Sequence, residues 1–205
     1  MSVVTRLDVA AVVLFGCFVA LGMRVSGRPL TRLDAEAVIF RGQLTPLALV
    51  FTISGRSRAL TAMCLVAIAV FAVFHMPLLV PVLMTASQLV SQMAVEFIKT
   101  LYVRMRPDYW LVGLEGGHSY PSGHATTAVV FFSGWAAIVG MSALPGDVKT
   151  ALMGVLVLWA LGIAWSRLAL GAHYLSDVVG GMLFGSAWLC ALFSASSHFY
   201  GILRQ

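Results

Sequence analysis

Residues 59–95 run without a single charge. One helix of that length would measure about 55 Å at ~1.5 Å per residue, nearly twice a bilayer core of about 30 Å. The run must therefore cross twice. His75, Met76 and Pro77 mark the turn, because proline removes a backbone donor and biases the residue before it away from helix. With the apolar stretches 7–23, 125–141, 151–165 and 178–193, the pattern predicts six spans, several near the short end of the ~17 to 25 residues a crossing needs. Arg6 ahead of the first stretch also fits a secretory leader, but Gly22 to Arg24 offers no small-x-small cleavage site, so the stretch counts as span one.

Between the first two spans the pattern changes in kind. Residues 24–58 mix Arg24, Arg28, Arg32, Asp34, Glu36, Arg41, Arg56 and Arg58 with apolar residues. Leu30, Leu33, Ala37 and Phe40 recur at three and four, which predicts a helix lying in the headgroup layer. The following "LTPLALVFTI" is too short to span and dips into the interface. A solvated connector whose arginines meet lipid phosphates is favoured over a direct chemical role.

Composition agrees with the pattern: 60% of the 205 residues are hydrophobic and 10% are charged, against roughly 25% charged in soluble domains. The chain is expected to be an all-α membrane protein forming one domain, residues 1–205. Cys17, Cys64 and Cys190 fall in three different spans, which suits packing thiols better than disulfides or a metal site.

Six crossings put the loops after spans one, three and five on one face. Lys99, Arg104 and Arg106 follow span three, residues 118–124 lead into span four, and Arg167, His173 and Asp177 bridge spans five and six. Charge near membrane depth is costly unless paired or functional. Basic side chains brought to one surface by separate pieces of chain make an anion site, because guanidinium forks and ammonium groups suit phosphate oxygens. Backbone N–H groups from Ser122 onward, at the expected start of span four, add donors and a favourable dipole. Ser119 or Ser122 is placed to cap that helix, Pro121 fits its first turn, and Gly123 allows close approach. His173 and Asp177 are four apart, so on one helix face the carboxylate accepts the imidazole N–H and makes the other ring nitrogen a better nucleophile. His124 is then free to serve the leaving group as general acid and water as general base.

These residues occur as "KTLYVRMRP" (Lys99, Arg106, Pro107), "PSGH" (Pro121 to His124) and "SRLALGAHYLSD" (Ser166, Arg167, His173, Asp177). They match the three-part signature K-x6-R-P, P-S-G-H and S-R-x5-H-x3-D. The chain thus resembles type 2 phosphatidic acid phosphatases, the PAP2 superfamily of membrane lipid phosphatases related to vanadium haloperoxidases. The resemblance implies a PAP2/haloperoxidase-like helical bundle in which Lys99, Arg106 and Arg167 hold phosphate with help from Ser122 and the Gly123 backbone. It implies that His173 attacks phosphorus to give a phosphohistidine, that His124 serves the leaving group, and that Asp177 orients His173. No cofactor, metal or nucleic-acid partner is implied; the partners are the bilayer and a lipid phosphate.

Outside the signature the ordinary readings prevail. Glu96, three before Lys99, is expected to hold the lysine, and Arg104 stands evenly between substrate and lipid headgroups. His118 and His75 are read as non-catalytic, and His198 belongs to the tail. Gly181 and Gly185 form a small-xxx-small step for close helix packing.

The reading is a lipid phosphate or diphosphate phosphatase, acting on substrates of the undecaprenyl diphosphate, phosphatidylglycerophosphate or phosphatidate class. The alternatives are a lipid phosphotransferase using the same histidine and a non-enzymatic anion or lipid transporter, although transport favours polar groups at the midplane. On sidedness two arguments conflict. Apart from Arg6, Lys149 and Arg204, every Lys and Arg falls on the active face, which by the positive-inside rule would be cytoplasmic. The resemblance implies a bacterial inner-membrane enzyme facing the periplasm, and that is the expectation taken forward.

Overall fold

The computed structural model describes residues 2–27, 30–108, 110–111 and 116–202, from residue 198 as backbone only. Arg28, Arg204 and the His198 side chain lie outside the described residues.

Helix α1 (Val3–Val25) starts at Ser2, whose hydroxyl accepts from the Thr5 N–H. Its outer face leaves Val12 and Val13 exposed, and its inner face packs along α9 (Leu175–Ile202). Next come α2 (Arg32–Glu36), tightening into a 3₁₀ turn at Ala37–Phe40, and α3 (Thr45–Ser54), which packs along α8 (Gly146–Ala169). Helices α4 (Ser57–Val73) and α5 (Leu79–Tyr102) flank the break around His75 to Pro77, where the sequence places the turn. The fourth apolar stretch is composite: α6 (Gly123–Ala128), a π-helical turn at Val129–Ser133, and α7 (Gly134–Met141). No strand occurs among the described residues.

Among the described residues, four helical stretches are long and apolar enough to cross a membrane: Val3–Val25, Gly123–Met141, Gly146–Ala169 and Leu175–Ser197. The pair Arg32–Phe40 and Thr45–Ser54, bent by 111°, gives a possible fifth. Two of the six expected spans fall short of this standard for physical reasons. Helix α4 has only 17 residues, and α5 turns Ser87, Gln88, Ser91 and Lys99 inward while Leu89, Met93 and Phe97 face outward.

The apolar stripe expected from Leu30 to Phe40 is divided. Leu30 and Leu33 are exposed, but Ala37 is buried and turns inward with Asp34. A capping box starts α2: Asp34 N–H donates to Thr31 Oγ1 at 3.2 Å and Thr31 N–H donates to Asp34 Oδ2 at 3.0 Å.

Close packing on α9 positions the site. A Cβ on Gly181 would lie 2.5 Å from the Ser122 carbonyl oxygen, and one on Gly185 2.9 Å from that of Thr126. The glycine step therefore brings α9 against the backbone of α6, as its spacing predicts. Beneath the Pro-Ser-Gly turn the buried Tyr120 ring stacks on Phe18 at 5.5 Å, and its hydroxyl donates to the Phe18 carbonyl at 2.7 Å.

Candidate active site

Three chain segments meet at one end of the bundle and are stitched through their backbones. Ser119 N–H donates to the Arg104 carbonyl at 2.8 Å, and Ser122 N–H to the Asp177 carbonyl at 3.0 Å. The turn after α8 is a Schellman motif. Gly171, at φ 69°, follows the C-cap, and the N–H groups of Gly171 and Ala172 close onto the carbonyls of Leu168 and Arg167 at 3.0 and 2.9 Å. Only a residue free to adopt positive φ ends the helix this way without strain, and the reversal delivers His173 into the cluster.

His173 stands in that turn, two residues before α9 begins, so it does not share a helical face with Asp177 as the spacing suggests. Its Nδ1 lies 3.6 Å from Asp177 Oδ2, too far for a hydrogen bond. Ser119 fills the gap: its Oγ lies 3.3 Å from His173 Nδ1 and donates to Asp177 Oδ2 at 2.5 Å. With its proton committed to the carboxylate, Ser119 can only accept from His173, which puts the imidazole proton on Nδ1. On the other side Arg106 Nη1 lies 3.2 Å from His173 Nε2. A guanidinium only donates, so both neighbours select the tautomer whose lone pair is on Nε2.

A cavity of about 610 Å³ is lined by His173 and by Arg106, the neighbour of its Nε2. Lys99, Arg106, Gly123, His124 and His173 line it, with Glu96, Gln92 and Met93 on the α5 side. Lys99 Nζ is 2.6 Å from Glu96 Oε1, the pairing expected of Glu96. Arg106 is braced by the carbonyls of Gly117 and Gly116 at 3.1 and 3.2 Å. A methyl on Gly123 would sit 3.6 Å from Lys99 Nζ, so it would occupy cavity space beside the ammonium. Burial, then the charges of Arg106, Arg167 and Lys99, hold the His173 imidazole well below its usual range. All three signature cations thus act on this ring.

The other signature residues lie behind the cavity wall. Arg167 is buried and donates to Thr52 Oγ1 of α3. Asp177 is buried at the start of α9. Ser122 is buried at the N-cap of α6, yet its hydroxyl makes no capping bond, and Pro121 precedes the cap instead of sitting in the first turn. Ser119 does not cap the helix either, because its hydroxyl is committed to Asp177. Among the described residues Ser122 Oγ and His124 Nε2 are buried without a hydrogen-bond partner. Such groups are costly unless a ligand or water completes them.

Arg104 is the main correction. It meets neither substrate nor headgroups, but is buried between two carboxylates: Nη2 lies 2.8 Å from Asp34 Oδ2 and Nη1 2.5 Å from Asp177 Oδ1. Sequence reasoning missed Asp34, Thr52 and Ser176, and considered Ser119 only as a cap. Asp34 left a faint signal as the acid of a Thr-x-x-Asp capping box; Thr52, inside an apolar run, left none.

The fold and site define a helical integral membrane protein with an open pocket lined by Lys99 and Arg106. A family model described as the PAP2 superfamily matches residues 77–200, more than half of the chain, and the chain belongs to that superfamily. The lipid A 1-phosphatases of Rhizobium johnstonii and Rhizobium etli are 29% and 28% identical to it over 112 residues, 50% of this chain. The match takes in 41% and 44% of their own lengths, so the chain spans less than half of these curated relatives. A solved PAP2 type phosphatidylglycerolphosphate phosphatase from Bacillus subtilis shares the fold, with a TM-score of 0.81 at 22% identity, covering 92% of this chain and 96% of that one.

Proposed function

We propose that this protein is a lipid phosphate or diphosphate phosphatase working through a phosphohistidine. The observation that carries the proposal is the His173 ring: Nδ1 held on Ser119 and Nε2 beside Arg106, with both His173 and Arg106 lining the cavity. In the first step the Nε2 lone pair forms a bond to phosphorus as the bond to the leaving oxygen breaks, and His124 gives that oxygen a proton. In the second, His124 takes a proton from water, whose oxygen attacks phosphorus and releases His173. Lys99, Arg106 and the Gly123 N–H line the cavity and offset the charge on the phosphoryl oxygens, and buried Arg167 and Ser122 complete the phosphate site from behind its wall. The cations replace a metal in this scheme, so the reaction is metal-independent.

A lipid substrate is supported by the cavity's reach. It runs from His173 to Met93, which is 72% exposed on the outer face of α5, so a headgroup held at the cations leaves its chain among lipid tails. The proposal takes the chain as one domain with six crossings, α1, α4, α5, α6 with α7, α8 and α9. It places the site on the periplasmic face of a bacterial inner membrane. Burial of Arg104 between carboxylates removes one more cation from the positive-inside count.

The test is phosphate release by detergent-purified protein with EDTA present, on undecaprenyl diphosphate, phosphatidylglycerophosphate, phosphatidate and lipid A, with His173→Ala alongside. Release by wild type alone supports the phosphatase and ranks its substrates. No release from any of them rejects it in favour of phosphotransfer or transport.

A further inference from the structure

Asp34, Arg104 and Asp177 are buried together, exposed by 2%, 1% and 0%. Arg104 reaches both carboxylates, and Ser176 ties the group further: its N–H donates to Asp34 Oδ1 at 2.8 Å, and its Oγ accepts from Arg104 Nη1 at 2.6 Å. The guanidinium lies over the Tyr174 ring, 4.4 Å from its centre. Asp34 comes from the segment after α1, some 70 residues from Arg104 and 142 from Ser176.

The charges do not cancel. Two carboxylates share one guanidinium, so the cluster carries one unbalanced negative charge, and it faces His173 through Ser119. A lone Arg104–Asp177 pair would be neutral, and its field at the imidazole would be largely quenched. In a low-dielectric interior the difference is large. Attack by Nε2 makes the ring cationic, so the unbalanced charge helps most after the bond to phosphorus has begun to form.

We infer that Asp34 is a positioning residue of the active site, which by sharing Arg104 keeps Asp177 effectively charged toward His173 as the phosphohistidine forms. The inference rests on the phosphatase reading above and adds α2 to the machinery. It differs from simple anchoring of α2, because anchoring depends on the number of contacts whereas this role depends on net charge.

Asp34→Asn and the double variant Asp34→Asn/Arg104→Gln separate the two. The first brings the cluster to neutrality; the second restores one negative charge while removing both anchoring charges. Steady-state phosphate release is measured for each beside wild type and His173→Ala, with thermal melts in detergent. Asp34→Asn should lower kcat about tenfold or more with KM within about threefold, the pattern of an interaction made chiefly in the transition state. The double variant should recover most of that loss, a non-additivity expected of groups in one network. If Asp34→Asn fails to fold, activity of the double variant within about tenfold of wild type still supports the inference. A double variant as impaired as Asp34→Asn or worse, or an Asp34→Asn enzyme with wild-type kcat, overturns it while leaving the phosphatase reading intact. A wild type that releases no phosphate overturns both.

Discussion

His173 Nδ1 and Asp177 Oδ2 stand 3.6 Å apart with Ser119 Oγ between them, so the acid orients the imidazole through a hydroxyl relay. Removing the relay leaves the ring free to adopt the other tautomer, with its lone pair on Nδ1 instead of Nε2. Ser119→Ala is expected to lose about 1–1.5 kcal/mol, roughly tenfold in kcat, with KM nearly unchanged. Initial rates across substrate concentration check this, and an unchanged kcat would remove Ser119 from the mechanism.

The two histidines should fail differently. His173→Ala abolishes phosphate release from every substrate, because no nucleophile remains. His124→Ala slows turnover of lipid substrates by about 10²–10⁴-fold, the usual worth of general acid–base catalysis. It should cost much less with p-nitrophenyl phosphate, whose phenolate leaves without a proton. Equal losses on both substrates would contradict the assignment of His124 to the leaving group.

Glu96 holds Lys99 at 2.6 Å, and the proposed function gives the phosphate contact to the lysine. Glu96→Gln should therefore raise KM by only a few fold, whereas Lys99→Ala costs at least tenfold in kcat/KM, a charge-assisted contact being worth about 1.5–3 kcal/mol. Side-by-side kinetics decide; the reverse order would make Glu96 a reacting group.

The depressed affinity of His173 for protons has a definite sign. Below its ordinary value of about 6.5 the unfolded chain takes a proton there that the folded protein refuses. Stability therefore falls as pH drops through that value toward the lower folded one. His173→Gln should flatten the fall of melting temperature between pH 7 and 5. Ring nitrogen NMR in detergent should show His173 still neutral at pH 6; a protonated ring there would refute the assigned environment.

Gly181→Ala places a methyl group against the Ser122 carbonyl. Overpacking at this contact is expected to cost about 1–3 kcal/mol and to disturb the Ser122 to Asp177 backbone bond, lowering both melting temperature and kcat. Gly154→Ala, where a Cβ meets nothing within 4 Å, is the control.

By itself the sequence determined the long apolar helices, the break near Pro77, the close packing at Gly181 and the motifs whose chain segments meet at one end of the bundle. Those features rest on local hydrophobicity, on residue volume and on spacing within short motifs, all of which are written along the chain. Tertiary structure alone decided how the motifs are wired. Nothing in 31–36 announces that Asp34 will share Arg104 with Asp177, and nothing in an apolar run announces that Thr52 will hold Arg167. Even the four-residue interval from His173 to Asp177 misled, because the helix begins between them and Ser119 enters from another segment. A buried charge must find its partner wherever the packing of helices brings one, and that partner is chosen by the fold.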